Sequence, residues 1–383
     1  MKITGAWLRS QSAQRVLSLF ACAGHQAFFV GGCVRDDQLG FKVSDIDIAS
    51  DATPAQTINL AQNAGIQFRA TGIDHGTVTL VVHKKSFEVT TFRKDISTDG
   101  RHAGVVFLDD IEEDARRRDF TMNALYADKN GVILDPLNGL KDLHEKRVRF
   151  IGDASTRIKE DYLRILRFFR FSAWYANPKF GFNPDTLNAV TKNLKGLKKL
   201  SRERVSAEII KLLTAPNPAP SVATMRSTGV LGAVIAEAED RLLPILIEYE
   251  KACNISPDPL RRLAAIGGHD LQENLRLNKQ DTQRLKNLHD HMSSTVQAHE
   301  LGYRLGEPIA RSILLLRAAV FEQQISQNEI ERIKMGSRAK FPVKGSDLIN
   351  AYAGAALGRK LKELEIKWIS SEFTLNKQDL LSK

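Results

Sequence analysis

Short apolar runs cut by glycine and polar residues fill the first 150 positions, and longer stretches of helical periodicity fill the rest. Ala27-Phe28-Phe29-Val30 reads as a short buried strand. Gly31-Gly32 interrupts it, residues 33–40 suit a short helix, and Ile46-Asp47-Ile48-Ala49 reads as a second strand. Thr53-Pro54 starts a further helix, with Thr as N-cap and Pro at the first helical position; it runs to about Asn63 and stops at Gly65. Thr77 to Val82 and Ser86 to Phe92 alternate as the two arms of a hairpin turning at Lys84-Lys85. After Asp153 the strand signals fade. Asn217-Pro218-Ala219-Pro220 and Ser256-Pro257-Asp258-Pro259 break the helical pattern and mark element or domain borders. No internal repeat, low-complexity segment or sustained heptad is present. The pattern predicts an α+β chain, mixed α/β up to about residue 150 and helical beyond.

Composition narrows the class. With 383 residues, 43% hydrophobic and 26% charged, the chain has the make-up of a soluble globular protein of two or more domains. Met1 to Trp7 has no signal-peptide layout, and the apolar stretch Val16 to Val30 is broken by His25 and Gln26 and too short to span a bilayer. Three cysteines without a Cys-x-x-Cys argue against a disulfide framework and a zinc site, and fit a reducing cytoplasm. The net charge of +10 is unevenly placed. Residues 1–150 carry 19 Lys/Arg against 19 Asp/Glu, residues 151–220 carry 13 against 6, residues 221–331 carry 12 against 15, and residues 332–383 carry 11 against 5. A neutral head with a basic middle and a basic end suits a long polyanion such as nucleic acid.

Chemistry concentrates at a few points. Gly31-Gly32-Cys33-Val34-Arg35-Asp36 lets backbone N–H groups approach a phosphate at a helix start. Asp45 and Asp47 stand two apart on a strand, so their carboxylates share a face. Beside a phosphate cradle, such a pair is what two Mg²⁺ ions need to hold a nucleoside triphosphate. A plain turn followed by a solvated strand edge gives the same pattern. Ala115 to Ala124 is dense in groups that bind phosphate and sugar hydroxyls, Arg118, Asp119 and Asn123 among them, although a charged helix start also fits. Asp135 to Leu143 reads as a turn and capped helix with a structural task. In Lys159 to Arg170, a single helix puts Glu160, Arg164, Arg167 and Phe171 on one face, with Asp161 beside Arg164, and Tyr162, Ile165, Leu166, Phe169 and Ala173 on the core side. Asp161 and Arg164 side by side can read a base edge; they can equally make an ion-paired surface.

These segments occur in a telling order: Gly-Gly-x-Val-Arg-Asp with Asp-x-Asp, then Arg-Arg-Asp-Phe-Thr-x-Asn-Ala, then Asp-x-x-x-Gly-x-x-Asp-Leu, then Glu-Asp-x-x-Arg-x-x-Arg. Over residues 27–213, through Arg202-Glu203-Arg204, the chain resembles the class II nucleotidyltransferases, the family of tRNA CCA-adding enzymes and bacterial poly(A) polymerases. Phe341 to Leu348, with Leu357-Gly358 and Trp368, is similar to the tail of alphaproteobacterial members. The resemblance implies a polymerase-beta-like catalytic head at 1–150, then an all-helical neck at 151–216, body at 217–331 and tail at 332–383. It implies that Asp45 and Asp47 bind two catalytic Mg²⁺ ions and that Gly31, Gly32 and Arg35 lie against the triphosphate. Asp119 with Arg118 would meet the ribose, and Asn123 and Arg167 would lie near the phosphates. Asp161 and Arg164 would pair with CTP and ATP, and Arg170 completes the nucleotide-binding set. Glu88 stands on a strand between apolar neighbours, as the superfamily's third carboxylate does.

The implied reaction extends tRNA with CTP and ATP, without a template, in the cytoplasm. The polar stretch 96–105 resembles the family's flexible loop, which favours addition of A as well as C. A poly(A) polymerase, a partial CC- or A-adding enzyme and an inactive RNA-binding protein are the rivals. Compact length and the tail favour CCA addition, and the intact acidic residues oppose inactivity. No membrane segment and no obligate protein partner is evident. Lys195 to Lys199 and Arg359 to Lys362 are either tRNA-backbone contacts or solvated faces. His269-Asp270 and His289-Asp290-His291 lack the companions of a metal phosphohydrolase, and no Gly-x-x-x-x-Gly-Lys-Ser/Thr occurs.

Overall fold

A computed structural model describes residues 1–98 and 103–382, without the side chains of residues 95–98 and 103. Residues 99–102, the centre of the expected flexible loop, lie outside the described residues. The chain divides into two compact units, Met1–Val234 and Ile235–Lys383.

The first unit opens with α1 (Gln11–Cys22), β1 (Ala27–Val30), α2 (Gly32–Gln38), β2 (Ile46–Ser50) and α3 (Pro54–Asn63). Then come β3 (Gln67–Gly72), β4 (Thr77–Val82), β5 (Lys85–Thr91), β6 (Arg93–Thr98), β7 (Ala103–Phe107), α4 (Ile111–Arg116), β8 (Tyr126–Ala127), β9 (Ile133–Leu134) and α5 (Gly139–His144). A seven-stranded sheet has the order β3-β4-β5-β2-β1-β8-β9, while β6 and β7 form a separate ribbon. Within the large sheet β2 and β5 are the parallel pair, and their register sets Asp47 opposite Glu88. Alternation then buries Ile48, Phe87 and Val89 on one face, where α1 supplies Val16, Leu17 and Phe20. Asp47 and Glu88 take the other face.

Most expected head elements are present, with shifts at their ends. The α3 helix has the foreseen Thr53 cap, completed by Gln56 as a capping box. The β4–β5 turn falls one residue earlier than expected, at His83 and Lys84, whose φ angles of 49° and 65° give the twist a two-residue hairpin requires. Lys85 is already strand.

The Asp135–Leu143 segment is structural, as expected. Asp135 accepts from the Gly139 and Leu140 amides at 2.7 and 2.9 Å, and Asp142 accepts from the Thr121 hydroxyl at 2.5 Å and Arg149 Nε at 2.9 Å. Gly139 lies so close to the Thr121 carbonyl that a Cβ there would sit 2.1 Å from its oxygen.

The unit continues with α6 (Ala154–Glu160), α7 (Leu163–Tyr175), α8 (Pro184–Lys192), α9 (Arg202–Leu213), α10 (Ala219–Ser227) and α11 (Val230–Val234). The single helix expected over Lys159–Arg170 is broken: Asp161 is extended, with φ −151° and ψ 107°, and its carboxylate accepts from the Leu163 amide at 3.0 Å to start α7. Phe171, expected on the polar face, is buried. Helix α10 packs on α7, so the Asn217–Pro220 break is an element border inside this unit and not the start of a separate body.

The second unit is helical: α12 (Leu242–Ala252), α13 (Pro259–Ile266), α14 (Leu271–Asn274), α15 (Lys279–Met292), α16 (Ala298–Leu305), α17 (Glu307–Phe321), α18 (Gln327–Arg338), α19 (Gly354–Ser370) and α20 (Lys377–Leu381). The border expected at 331/332 falls within α18, which packs on α16. The terminal cluster of Val343, Leu364, Trp368 and Leu380 also uses Tyr303 of α16. Body and tail are therefore one unit here.

Gly139→Ala should destabilise the first unit by about 1–3 kcal/mol, because the added methyl must push away a backbone carbonyl. A urea midpoint lowered at unchanged slope is the expected result, and an unchanged midpoint refutes the close-approach argument.

Candidate active site

A cleft of about 560 Å³ opens where the acidic edge of the large sheet meets α7 and α9. It is lined by Gly31, Gly32, Arg35, Asp47, Arg118, Asp119, Asn123, Asp161, Arg164 and Arg167, residues scattered over more than a hundred positions of sequence. Arg93, Arg117, Leu163, Phe171 and Arg204 also line it. Asp45 and Glu88, also expected at the site, do not line it, although both carboxylates act on Asp47. Asp45 precedes β2, is exposed, and accepts from the Ser44 hydroxyl at 2.9 Å. Arg170, expected to bind nucleotide, does not line the cleft: its Nε donates to Glu208 at 2.6 Å and its guanidinium covers Phe171.

The cleft floor is made locally by Gly31, whose φ of 72° belongs to the left-handed region. A Cβ there would lie 3.6 Å from both Arg118 Nη1 and the Asn123 carbonyl oxygen. Beneath it Cys33 is buried, its thiol pushed up to about 12 by burial and the Asp47 charge.

Asp47 carries the most informative electrostatics. Burial first, then Glu88, raises its carboxyl to about 6, with Asp45 adding to the effect and Arg118 opposing it. Glu88 and Asp45 both crowd Asp47, a divalent cation would relieve that repulsion, and carboxylate oxygens are the donors Mg²⁺ takes; among the described residues no group of three such side chains is drawn together closely enough to make a finished metal site.

The arginines are held by internal partners. Arg35 donates from Nε to Asp36 at 2.8 Å, from Nη1 to Asn123 at 2.5 Å and from Nη2 to the Tyr175 hydroxyl at 2.8 Å. Expected against the triphosphate, it reaches the cleft as a buried brace. Asp119 is likewise spoken for: one oxygen accepts from Arg167 Nε at 2.7 Å, the other from Asn123 at 3.0 Å and the Phe120 amide at 2.9 Å. Burial would raise the Asp119 carboxyl, but the Arg167 charge and these donors bring it down to about 2.

Asp114, fully buried on α4, performs the same service for Arg117 and Arg118, with the Tyr126 hydroxyl as a further donor at 2.7 Å. Burial opposes its ionisation, yet Arg118 and Arg117 lower it to about 2. Asp161 accepts from Arg204 Nη2 at 2.6 Å. Arg164 donates to Glu160 at 2.5 Å and to the Arg157 carbonyl at 2.8 Å.

Several of these partners carried no expectation from sequence. Glu208 is the clearest. It sits in the apolar stripe of α9 with Val205, Ile209 and Leu212, and a carboxylate in that position needs a buried cation. Its place in the stripe was the available signal. Arg204 lies in the Arg202-Glu203-Arg204 segment of the resemblance, without a stated partner; Asp114 lacked a signal, since charged residues near helix ends are ordinary.

Nucleoside triphosphate phosphates, divalent cations and a base edge are the ligands such a cleft suits, and the mixed sheet beneath it is that of a nucleotidyltransferase. The family model described as "Poly A polymerase head domain" matches residues 27–149, and one described as "Probable RNA and SrmB- binding site of polymerase A" matches residues 179–242. The chain is 33% identical to the mitochondrial CCA tRNA nucleotidyltransferase 1 of Mus musculus, over 98% of this chain and 90% of that one. It is 42% identical to the CCA-adding enzyme of Streptococcus gordonii over 54% of its length and 50% of the relative's. A crystal structure of the Bacillus stearothermophilus CCA-adding enzyme in complex with CTP superposes with TM-score 0.75 at 26% identity, covering 94% of this chain and 93% of that one. The chain belongs to the class II nucleotidyltransferases, the family of CCA tRNA nucleotidyltransferases and poly(A) polymerases.

Asp114 and Asp119 have folded-state values below the ordinary carboxylate range, so each stabilises the fold above about pH 4 and loses that contribution as pH falls through about 2. Stability should therefore decline between about pH 4 and pH 2, on the order of 2 kcal/mol per carboxylate. Urea midpoints across this range read it. Asp114→Asn should start lower at neutral pH and decline less; an identical slope in variant and wild type contradicts the assignment.

Proposed function

We propose that the chain builds or repairs the 3′-terminal CCA of tRNA from CTP and ATP, choosing each base with protein side chains and depending on Mg²⁺. The observation that carries this reading is identity of 33% across 98% of the chain to a CCA tRNA nucleotidyltransferase, together with an arginine-lined cleft that assembles the expected residues. Asp45 and Asp47, with Glu88 beside them, would hold Mg²⁺. When bound, the metal would stabilise charge on the attacking and leaving oxygens.

The tRNA 3′-hydroxyl attacks the α-phosphorus in line and pyrophosphate departs. Gly31 and Gly32 admit the triphosphate to close range, Arg118 and Arg167 neutralise its charge, and Asp119 fixes Arg167 in place. Asp161 accepts from an exocyclic amine of the base while Arg164 donates to ring acceptors. Basic surface in residues 151–220 and 332–383 supports binding of a tRNA backbone. A cytoplasmic setting belongs to the same proposal; among the described residues no helix is long and apolar enough to cross a membrane.

The test supplies tRNA lacking its last three nucleotides with labelled CTP and ATP, separately and together, and sizes the products. Two C additions with CTP alone and completion by A with both are expected. A long A-tail on arbitrary RNA, or arrest after C, overturns the reading.

Variants divide the roles. Asp47→Asn should lower transfer at least about 100-fold while the circular dichroism spectrum stays native. Asp161→Ala should cut preference for CTP over UTP and for ATP over GTP by about tenfold, with triphosphate binding retained. Undiminished selectivity removes Asp161 from base reading.

A further inference from the structure

A second cavity, of about 410 Å³, lies against the same helix α7 that lines the active cleft, but on a different face of it. Phe168 and Phe182 form its apolar wall, in edge contact at 5.8 Å between ring centres. Phe168 is buried and also stacks on Phe150 at 5.8 Å, so this wall is rigid.

Two hydroxyl side chains lie in the lining. Ser172 and Thr186 are each 8% exposed, and among the described residues no side chain or backbone group hydrogen-bonds to either hydroxyl. Neither oxygen is among the buried side-chain atoms left without a partner, so both are open to the cavity space. They face a cavity large enough for a ligand that would provide partners.

The rim is cationic. Lys146 is exposed, with no carboxylate partner among the described residues. Arg147 pairs with Glu145 at 3.2 Å and lies 5.5 Å from the ring centre of Phe180, itself 61% exposed. Arg149 donates to the buried Asp142 yet leaves its side chain 61% exposed. An aromatic wall, two inward hydroxyls and a basic, aromatic rim match the parts of a nucleotide.

We propose that this cavity is a second nucleotide-binding site, with the base against Phe168 and Phe182, polar base or sugar groups on Ser172 and Thr186, and phosphate at Lys146 and Arg147. Either a free nucleotide or the unpaired terminal nucleotide of a bound RNA presents that chemistry. The inference does not rest on the CCA-adding reading, because none of these residues lines the active cleft.

The experiment uses the full chain. Crosslinks from 8-azido-ATP, and from a tRNA ending in 8-azidoadenosine, are mapped by mass spectrometry, and ATP binding is followed by equilibrium dialysis. Crosslinks at 146–149 or 180–186 are expected in at least one arm, and the arm that gives them identifies the source.

The double variant Arg147→Glu, Phe180→Ala, confined to exposed side chains, should weaken that crosslink at least about tenfold while crosslinks in the active cleft persist. Thr186→Val, which keeps the shape and removes a hydroxyl, should weaken it as well. Crosslinks confined to the active cleft in both arms, with a single equivalent of ATP bound, overturn the proposal. So does an unchanged crosslink in the double variant.

Discussion

The buried pair between Asp119 and Arg167 is the contact on which the site depends. Asp119 belongs to the sheet-bearing part of the first unit, and Arg167 to α7. Two donors of one guanidinium meet one carboxylate oxygen at 2.7 and 2.5 Å. The other oxygen fixes Asn123, and Asn123 fixes Arg35. Removing the carboxylate would leave a half-buried cation with only the more distant Glu208, at 3.9 Å, to compensate it. Arg35 then reaches on to Tyr175 at the end of α7, so the helix is tied to the sheet at two points about two turns apart.

This arrangement explains how so many arginines coexist in and beside one cleft. Arg35, Arg167 and Arg170 approach the ring of Phe171 at 5.1, 5.3 and 4.5 Å, and each is matched by a carboxylate: Asp36, Asp119 or Glu208. Arg117 and Arg118 share Asp114. Anchored guanidiniums lose little side-chain freedom when an anion arrives, because their rotamers are already chosen. Their remaining N–H donors point at fixed places. The acidic edge works in the opposite sense. Asp47 is half-buried and faces Glu88, and burial first, then that neighbouring charge, raises its carboxyl to about 6. One side of the cleft is balanced before substrate binds, and the other would gain stability from a bound cation.

What could be read from the sequence followed physical rule. Strand β1 is a short apolar run, β2, β4 and β5 carry alternation, α3 carries a cap and a proline, and all were legible. Strands β8 and β9 have two residues each, too few for any period, and β3 is largely exposed. Most of the residues that line the cleft were legible because they sit in ordered motifs. Their working relations were not, since those arise from long-range contact: the Arg35–Asn123 bond joins positions 88 apart, and the Asp161–Arg204 bond joins positions 43 apart. Phe171 does share the cleft face of α7 with Arg164 and Arg167, and it is buried there because the guanidiniums of Arg35, Arg167 and Arg170 cover its ring, which periodicity alone does not show.

The turn of the chain at Asp161 has a chemical consequence. On an unbroken helix, Asp161 and Arg164 would be three residues apart on one face, the spacing at which acid and base pair with each other. A self-paired couple has spent the acceptor and the donor that a base edge needs. In the folded chain Asp161 is extended and meets Arg204 from α9, while Arg164 meets Glu160 and backbone carbonyls. The two groups are therefore held from separate sides. Arg204 fixes Asp161, and Glu160 fixes Arg164 without removing its other donors. If Asp161 and Arg164 read a base edge as proposed, they must stay mutually unsatisfied, and breaking the helix between Glu160 and Leu163 is a simple backbone solution to that requirement.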